Sequence, residues 1–207
     1  MDFWDRMETV HASCDVLQHP FYVRWTDGEL TREELARYAG EYRHAVVALA
    51  ECSAGAAAIA PAELSAGLAD HATEEAAHVE LWDRFARAVG ATADHAPNPE
   101  TILCASEWTC ADEADLLERL VALYAIEAAQ PAISVAKLEG LRDHYDLDTA
   151  DATAYFELHA ERDLEHAAVG RELIEQLLPG ADEDRLIARA EAVLEGNWQL
   201  LDGVDRG

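Results

Sequence analysis

Two segments of the chain repeat one pattern of metal-binding side chains, and this repeat constrains the fold more than any other feature. The same spacing, i, i+4, i+7, occurs in both segments: His71, Glu75 and His78, and then His159, Asp163 and His166. On an α-helix, which turns about 100° per residue, these positions fall within about 60° of one another. Each segment therefore predicts a helix that projects two imidazoles and a carboxylate from one face.

Glu127 adds a third segment to this pattern, because it follows the apolar run 120–126. A lone carboxylate in such a run is costly to bury unless it binds a cation or a strong donor. Surface histidines and acids would not account for two triplets with identical spacing together with an isolated glutamate in an apolar stretch. Three helices are expected to surround a dinuclear centre, as in helix bundles that carry Glu-x-x-His pairs such as Glu75–His78. Imidazole and carboxylate ligands without thiolate favour iron or manganese over structural zinc.

The charge composition limits the partners and suggests an environment. The net charge is −27 and the isoelectric point is about 4.4, so nucleic acid and anionic membrane surfaces would be repelled and are excluded as partners. Of the 15 cationic residues, Lys137 is the only lysine. Acidic excess with few lysines is expected in a protein that folds in concentrated salt, where charge repulsion is strongly screened. We therefore expect that the protein functions in the cytoplasm of a halophile.

The cysteines and the N-terminal segment support an intracellular location. Cys14, Cys52, Cys104 and Cys110 form no Cys-x-x-Cys motif, so buried, reduced thiols are expected. The first residues carry no basic stretch, and no apolar run is long enough to span a membrane. The sequence therefore predicts a soluble, cytoplasmic protein.

Helical periodicity extends through nearly the whole chain, and no strand is evident. Seven helices are expected to form one all-α domain over residues 1–207. Their expected ranges are 2–18, 31–58, 61–90, 100–110, 112–145 with a kink at Pro131, 149–178 and 182–203. The aromatic segment 20–25 is expected to connect the first two helices.

The motifs HATEEAAHVELW (71–82), YAIEAAQP (124–131) and HAERDLEH (159–166) resemble the heme-oxygenase-like, TenA/PqqC-type superfamily of helical bundles. The likeness covers nearly the whole chain, and the closing His-x3-Asp-x2-His motif resembles the dimetal oxidases within it. Thiaminase II members lack that motif and rely on a catalytic cysteine. None of the four cysteines here lies near the ligand motifs in sequence, which disfavours a thiamin-salvage role.

Within this superfamily, the chain resembles the CADD-like self-sacrificing para-aminobenzoate synthases. In that family a tyrosine of the enzyme is cleaved to supply an aromatic ring, and a lysine supplies the nitrogen. The resemblance places the cleaved tyrosine at Tyr22, in HPFYVRW, and a second family tyrosine at Tyr38. The family lysine follows the central glutamate by ten residues, which is Lys137. Retention of the only lysine at this position favours a chemical role, because arginine cannot present a neutral amine.

One ligand remains open at this stage. The family places a glutamate seven residues before the first metal-binding histidine, and here that residue is His71. Either His71 is itself a ligand, or Glu75 takes the role, with Glu74 as a third candidate.

The resemblance implies an oxygen-dependent reaction at two transition-metal ions, iron or iron with manganese, with dioxygen and an external reductant as co-reactants. The expected first group of ligands is His78, Glu127 and His159 with Glu75 or His71. Asp163 and His166 are expected to complete the coordination of the second ion, and Glu127 could bridge the two ions. The expected redox relays are Tyr38 and Tyr124, and a homodimer is expected. Two alternatives stay open: an oxidase acting on an external substrate, and a non-enzymatic metal-binding or regulatory protein.

The charge analysis predicts that stability depends on salt. Lowering sodium chloride from about 2 M to about 10 mM should lower the melting temperature, because repulsion among the acidic side chains is then unscreened. Circular dichroism melts at both concentrations, with sucrose as an uncharged co-solute control, measure this. A melting temperature that does not change would contradict the halophilic interpretation.

Overall fold

The computed structural model describes residues 1–92 and 94–206, in which nine α-helices and one short 3-10 helix are present and no β-strand. The α-helices are α1 Phe3–Ser13, α2 Pro20–Thr26, α3 Arg32–Ile59, α4 Ala62–Val89, α5 Pro99–Thr109, α6 Leu116–Glu127, α7 Gln130–His144, α8 Ala150–Leu177 and α9 Glu183–Arg206. None of them combines the length and apolar character needed to cross a bilayer. The all-α prediction is confirmed, whereas the count of seven helices is wrong.

The first difference lies near the N-terminus. Helix α1 ends at Ser13 rather than at residue 18, and a separate 3-10 turn, Val16–Gln18, follows. The Asp15 side chain caps this turn by accepting a hydrogen bond from the Leu17 amide. The segment expected to be a connection is the short helix α2. It forms because the His19 ring accepts a hydrogen bond from the Phe21 amide at 3.0 Å, and because proline suits the first turn of a helix.

The second difference follows directly after Glu127. The predicted helix 112–145 is two helices, because α6 ends at Glu127 and α7 begins at Gln130. Pro131 has no amide hydrogen, and its ring would clash with the carbonyl of residue 127 in a continuous helix. The chain therefore changes direction immediately after a candidate metal ligand.

The packing of the helices brings the three ligand-bearing segments together. Helix α8, which carries the second His/Asp triplet, packs against α4 on one side and α6 on the other. Helix α3 packs along α4 and also contacts α5, α6 and α9, while α7 packs on α8. The ligands of α4 and α6 therefore face the central helix α8, within the core.

Helix α2 packs on α7 through Trp25. A Cβ atom added at Gly140 would lie 2.5 Å from Trp25 Nε1, so this close approach requires glycine. The Trp25 indole donates a hydrogen bond to the Lys137 carbonyl at 3.3 Å. This contact fixes the helix that carries Tyr22 against the helix that carries Lys137.

Candidate metal centre

Six side chains on α4, α6 and α8 form two overlapping groups of potential metal ligands. The first group contains His71, Glu75, Glu127 and His166, and the second contains Glu75, His78 and His159. Within each group the ligand atoms lie within 4.8 Å of one another. Glu75 belongs to both groups, so a carboxylate of α4 is placed to bridge two ions.

The ligand atoms are directed at common points rather than at each other. His71 Nε2 lies 3.0 Å from Glu127 Oε1, and His78 Nδ1 lies 3.1 Å from Glu75 Oε1. All four atoms are buried and lack a hydrogen-bond partner among the described residues. Two ligands about 2.1 Å from one ion, at right angles, are about 3.0 Å apart. These residues therefore fit a metal ion.

Asp163 lies beside this centre but in neither group. Its Oδ1 is 3.7 Å from His166 Nδ1, and both of its carboxylate oxygens are buried without a hydrogen-bond partner among the described residues. Burial, together with the carboxylates of Glu127 and Glu75, raises the pKa of Asp163 to about 9. Burial also raises the pKa of Glu127. Carboxyl groups held in this way favour cations as partners.

Two of the histidines are oriented by a hydrogen bond at the nitrogen that faces away from the centre. His159 donates from Nδ1 to the Tyr155 carbonyl at 2.7 Å, which leaves its Nε2 for an ion. His166 Nε2 lies 3.1 Å from Glu74 Oε2, and Arg162 holds Glu74 through two further bonds. Such outer partners commonly fix the orientation of metal-binding histidines. Burial, followed by the nearby His78, lowers the pKa of His159 to about 4, so its ring is neutral.

This arrangement differs from the grouping expected from the sequence. Glu127 shares a group with His71 and His166 rather than with His78 and His159, and Glu75 rather than Glu127 belongs to both groups. Of the three candidates on the first ligand helix, His71 and Glu75 both face the centre. Glu74 faces outward, where it holds His166.

Lys137 lies in a closed aromatic pocket next to the centre. Its side chain is fully buried, and Nζ has no hydrogen-bond partner among the described residues. The Nζ atom is 4.7–5.6 Å from the centroids of five rings: Tyr22, Tyr38, Tyr42, Trp82 and Phe156. Burial lowers the pKa of Lys137 well below its usual value of 10.5. Cation–π contacts favour the ammonium by about 0.5–2 kcal/mol each, but none of its three N–H donors has an oxygen acceptor, so the neutral amine is the form that fits.

Tyr22 and Tyr38 share this pocket, but Tyr124 does not. The hydroxyl oxygens of Tyr22 and Tyr38 are 3.1 Å apart, and both side chains are buried. Tyr124 is only half-buried, and its ring packs against Trp4 of α1 with centroids 5.1 Å apart. The structure therefore separates Tyr124, an expected relay, from the tyrosines that surround Lys137.

Several aromatic residues of this region, including Phe156, are not among the site residues expected from the sequence, and three of these could be found from helical spacing. Tyr155 stacks on His159 with centroids 4.0 Å apart, and Trp82 lies 4.8 Å from Tyr155. The third is Tyr42. A spacing of four residues could have identified each of them: Tyr155 precedes His159 by four, Trp82 follows His78 by four, and Tyr42 follows Tyr38 by four.

A cavity of about 330 Å³ opens beside the first ligand group. Its polar lining includes His71, Glu74, Glu127 and His166, and its remaining walls are mostly leucine and other apolar side chains. The opposite side of the centre is filled by the aromatic residues around Lys137. A small molecule can therefore reach the first ligand group through this cavity.

Comparison with known proteins supports the features described above. Over residues 36–202 the sequence matches the family described as iron-containing redox enzymes. It is 28% identical to the 4-aminobenzoate synthase of Nitrosomonas europaea, over 98% of this chain and 90% of that protein. It is 30% identical to the 4-aminobenzoate synthase of Chlamydia trachomatis, over 98% of this chain and 91% of that protein. The resemblance inferred from the motifs is confirmed.

Solved structures show the same fold at lower identity. A TenA homologue from P. horikoshii has a TM-score of 0.82 and 17% identity, covering 100% of this chain and 99% of its own. A TenA homologue from Pseudomonas syringae has a TM-score of 0.83 and 16% identity, covering 99% and 93%. At these identities the likeness concerns the fold alone.

The two ligand groups predict separable metal losses. The wild-type protein, loaded anaerobically with ferrous iron, should bind about two ions per chain. His159→Ala and His166→Ala should each lose about one ion, whereas Glu75→Gln should lose both because Glu75 serves both groups. Inductively coupled plasma mass spectrometry after desalting measures the ratios, with His144→Ala, at an exposed histidine, as the control. Wild-type protein without metal after this loading would refute the centre.

The buried amine predicts a dependence of stability on pH. Between its lowered folded-state pKa and about 10.4, Lys137 carries one proton more in the unfolded chain than in the folded one. Its contribution to the free energy of unfolding therefore rises with pH, by about 1.4 kcal/mol per unit. Lys137→Met removes this contribution, so the variant should be more stable than wild type at about pH 6 and lose that advantage towards about pH 9.

Urea unfolding of both proteins with a chelator present measures this difference at each pH. A constant difference between the two proteins would mean that the aromatic rings hold Lys137 as an ammonium ion.

Proposed function

This chain belongs to the family of iron-containing redox enzymes, and we propose that it makes 4-aminobenzoate from its own Tyr22, with Lys137 as the source of nitrogen. The relatives from Nitrosomonas and Chlamydia are named as synthases of the same product. The reaction consumes dioxygen and an external reductant. Each chain then yields at most one product molecule.

The observation that carries this proposal is the position of Lys137. Its Nζ lies 5.5 Å from the centroid of the Tyr22 ring, in a pocket closed to solvent. Nitrogen transfer to a ring requires a free lone pair on the amine, and the pocket supplies one because burial disfavours the ammonium form. The donor and the ring are thus held close together before any reaction begins.

Tyr38 is placed to assist the oxidation of Tyr22. Removal of an electron from a phenol makes its hydroxyl a strong acid, and the proton needs an acceptor. The Tyr38 oxygen lies 3.1 Å from the Tyr22 oxygen and can accept a hydrogen bond from it. Both residues are buried, so this exchange takes place without bulk water.

A series of ring contacts links Tyr22 with a metal ligand. Tyr38 contacts Trp82 with centroids 5.9 Å apart, Trp82 contacts Tyr155 at 4.8 Å, and Tyr155 stacks on His159 at 4.0 Å. An electron removed from Tyr22 therefore has an aromatic route through the core as far as His159. Trp82 and Tyr155 replace Tyr124 in the relay role.

When bound, the metal pair supplies the reductive activation of dioxygen. We propose iron, alone or with manganese, because the ligands of this chain are imidazoles and carboxylates without thiolate. The residues that would hold the pair are His71, Glu75, His78, Glu127, His159 and His166, with Asp163 adjacent.

One observation favours a second candidate function. The cavity of about 330 Å³ reaches His71, Glu127 and His166, and its apolar walls could hold an external substrate. An oxidase that acts on such a substrate would turn over many times per chain. It would also leave Tyr22 and Lys137 intact, so the two functions give opposite results in one experiment.

Lys137→Arg is expected to abolish 4-aminobenzoate formation while metal content and helicity stay at wild-type levels. Arginine keeps much of the aliphatic stem, but its guanidinium stays protonated and does not provide a neutral amine. Tyr22→Phe should fail as well, because the phenol that is oxidised is lost. Tyr145→Phe, outside the Lys137 pocket, is the matched control and should retain activity. Product is measured by liquid chromatography with mass spectrometry after iron loading, dioxygen and reductant.

The single lysine allows the nitrogen to be traced directly. Protein grown with lysine labelled at the side-chain nitrogen carries that label at Lys137 alone, so all product nitrogen should be labelled. A lysine-specific endoprotease should cut unreacted, denatured chains once, and chains that have given up the amine not at all. If Lys137→Arg protein forms product in wild-type amounts, or if the wild-type protein forms more than one product molecule per chain, the external-substrate oxidase would be the better proposal.

A further inference from the structure

Two cysteine thiols lie in contact on the side of the core formed by α3 and α5. Cys52 belongs to α3, Cys110 caps the C-terminal end of α5, and their Sγ atoms are 3.5 Å apart. Both are free thiols, and both are buried. Neither belongs to a ligand group of the metal centre. The proposed synthesis of 4-aminobenzoate makes no use of them.

Cys110 occupies an unusual backbone position. Its φ angle is +65°, a region that side-chain-bearing residues rarely adopt and that costs free energy to maintain. The guanidinium of Arg119, itself mostly buried, donates to the carbonyls of Thr109 at 3.2 Å and Ala111 at 2.9 Å. The chain is thus held on both sides of Cys110, which keeps its thiol against Cys52.

Solvent can approach only one member of the pair through the neighbouring cleft. A cleft of about 400 Å³ is lined by Cys110, Thr109, Arg43 and Glu51, among others, whereas Cys52 lies deeper and is fully buried. Glu51 and the charge of −27 disfavour anionic reagents at its mouth. The cleft therefore suits a small neutral molecule.

The two thiols are also electrostatically different. The hydrogen bond with Cys52 and the charges of Arg189 and Arg119 lower the pKa of the Cys110 thiol below its usual value, and this outweighs the opposing effect of burial. The same contact and burial raise the pKa of Cys52 well above its usual value. A reactive thiolate next to a protonated partner is the arrangement found in cysteines that react with oxidants.

We propose that Cys110 and Cys52 form a hydrogen-peroxide-reducing pair, in which Cys110 attacks and Cys52 resolves. The Cys110 thiolate attacks one peroxide oxygen and the O–O bond breaks, which gives a sulfenic acid and, after protonation of the leaving hydroxide, water. The Cys52 sulfur then attacks the sulfenic sulfur, loses its proton, and releases the oxygen as a second water. Two thiols and one peroxide become one disulfide and two waters. A small dithiol returns the pair to its reduced state.

The experiment uses the full-length protein with a chelator, so that its result is independent of metal chemistry and of 4-aminobenzoate formation. Reduced wild-type protein receives about one equivalent of hydrogen peroxide, and remaining thiols are alkylated under denaturing conditions. Before alkylation, the intact mass of the oxidised chain should be about 2 Da lower than that of the reduced chain, the mass of two hydrogens. Peptide mapping should find a Cys52–Cys110 disulfide that dithiothreitol reverses, while Cys14 and Cys104 remain alkylated.

Single variants assign the two roles. Cys52→Ser should stop at the sulfenic acid of Cys110, which dimedone traps, because no resolving thiol remains. Cys110→Ser should slow the reaction of Cys52 at least about tenfold relative to its rate in wild-type protein. Cys104→Ser is the matched control: this buried cysteine lies in α5, the helix that Cys110 caps, and the variant should behave as wild type.

Three results would overturn the proposal. The first is preferential oxidation of Cys14 or Cys104. The second is a disulfide that forms in Cys104→Ser at the wild-type rate but does not join Cys52 to Cys110. The third is the absence of a dimedone adduct at Cys110 in the Cys52→Ser protein. Circular dichroism of each variant separates loss of reactivity from loss of the fold.

Discussion

The structure depends on charge compensation within its own core. Helices α4, α6 and α8 bury Glu75, Glu127 and Asp163 close together, and several of their oxygen atoms have no hydrogen-bond partner among the described residues. Like charges in such a setting repel one another and are poorly solvated. Two divalent cations would remove both penalties, so metal binding and the final packing of these helices are coupled.

The ligand positions could be largely predicted because the period of an α-helix converts sequence spacing into direction. The triplets at 71–78 and 159–166 face the centre for that reason. Which ligands share an ion could not be predicted, because that depends on how α4 and α6 approach α8. The sequence predicts a kink at Pro131 rather than the break between α6 and α7, because a proline indicates a disturbed helix but not its extent. The helix at Tyr22 depends on the His19 ring, whose capping contact has no strong sequence pattern.

The core contains two chemically different regions in contact. One consists of imidazoles and carboxylates suited to cations, and the other of aromatic rings around a single amine that fits there as a neutral group. Trp82 and Tyr155 lie between the two regions, because Trp82 packs against Tyr38 of the aromatic region and Tyr155 packs against both Trp82 and His159. Cations bound on the polar side would further disfavour a proton on Lys137. Bound metal would therefore favour the neutral form of the amine.

The burial of Tyr22 has a consequence for the lifetime of each molecule. Its ring contacts Phe21 and Tyr38 and lies in the same buried cluster as Trp25. A chain that gives up this ring acquires a hole where a phenol had been, and such holes cost about 3–5 kcal/mol, out of a total of about 5–15 kcal/mol for a folded domain. Chains that have reacted would therefore unfold more often, and proteases would degrade them faster than unreacted chains without any separate signal.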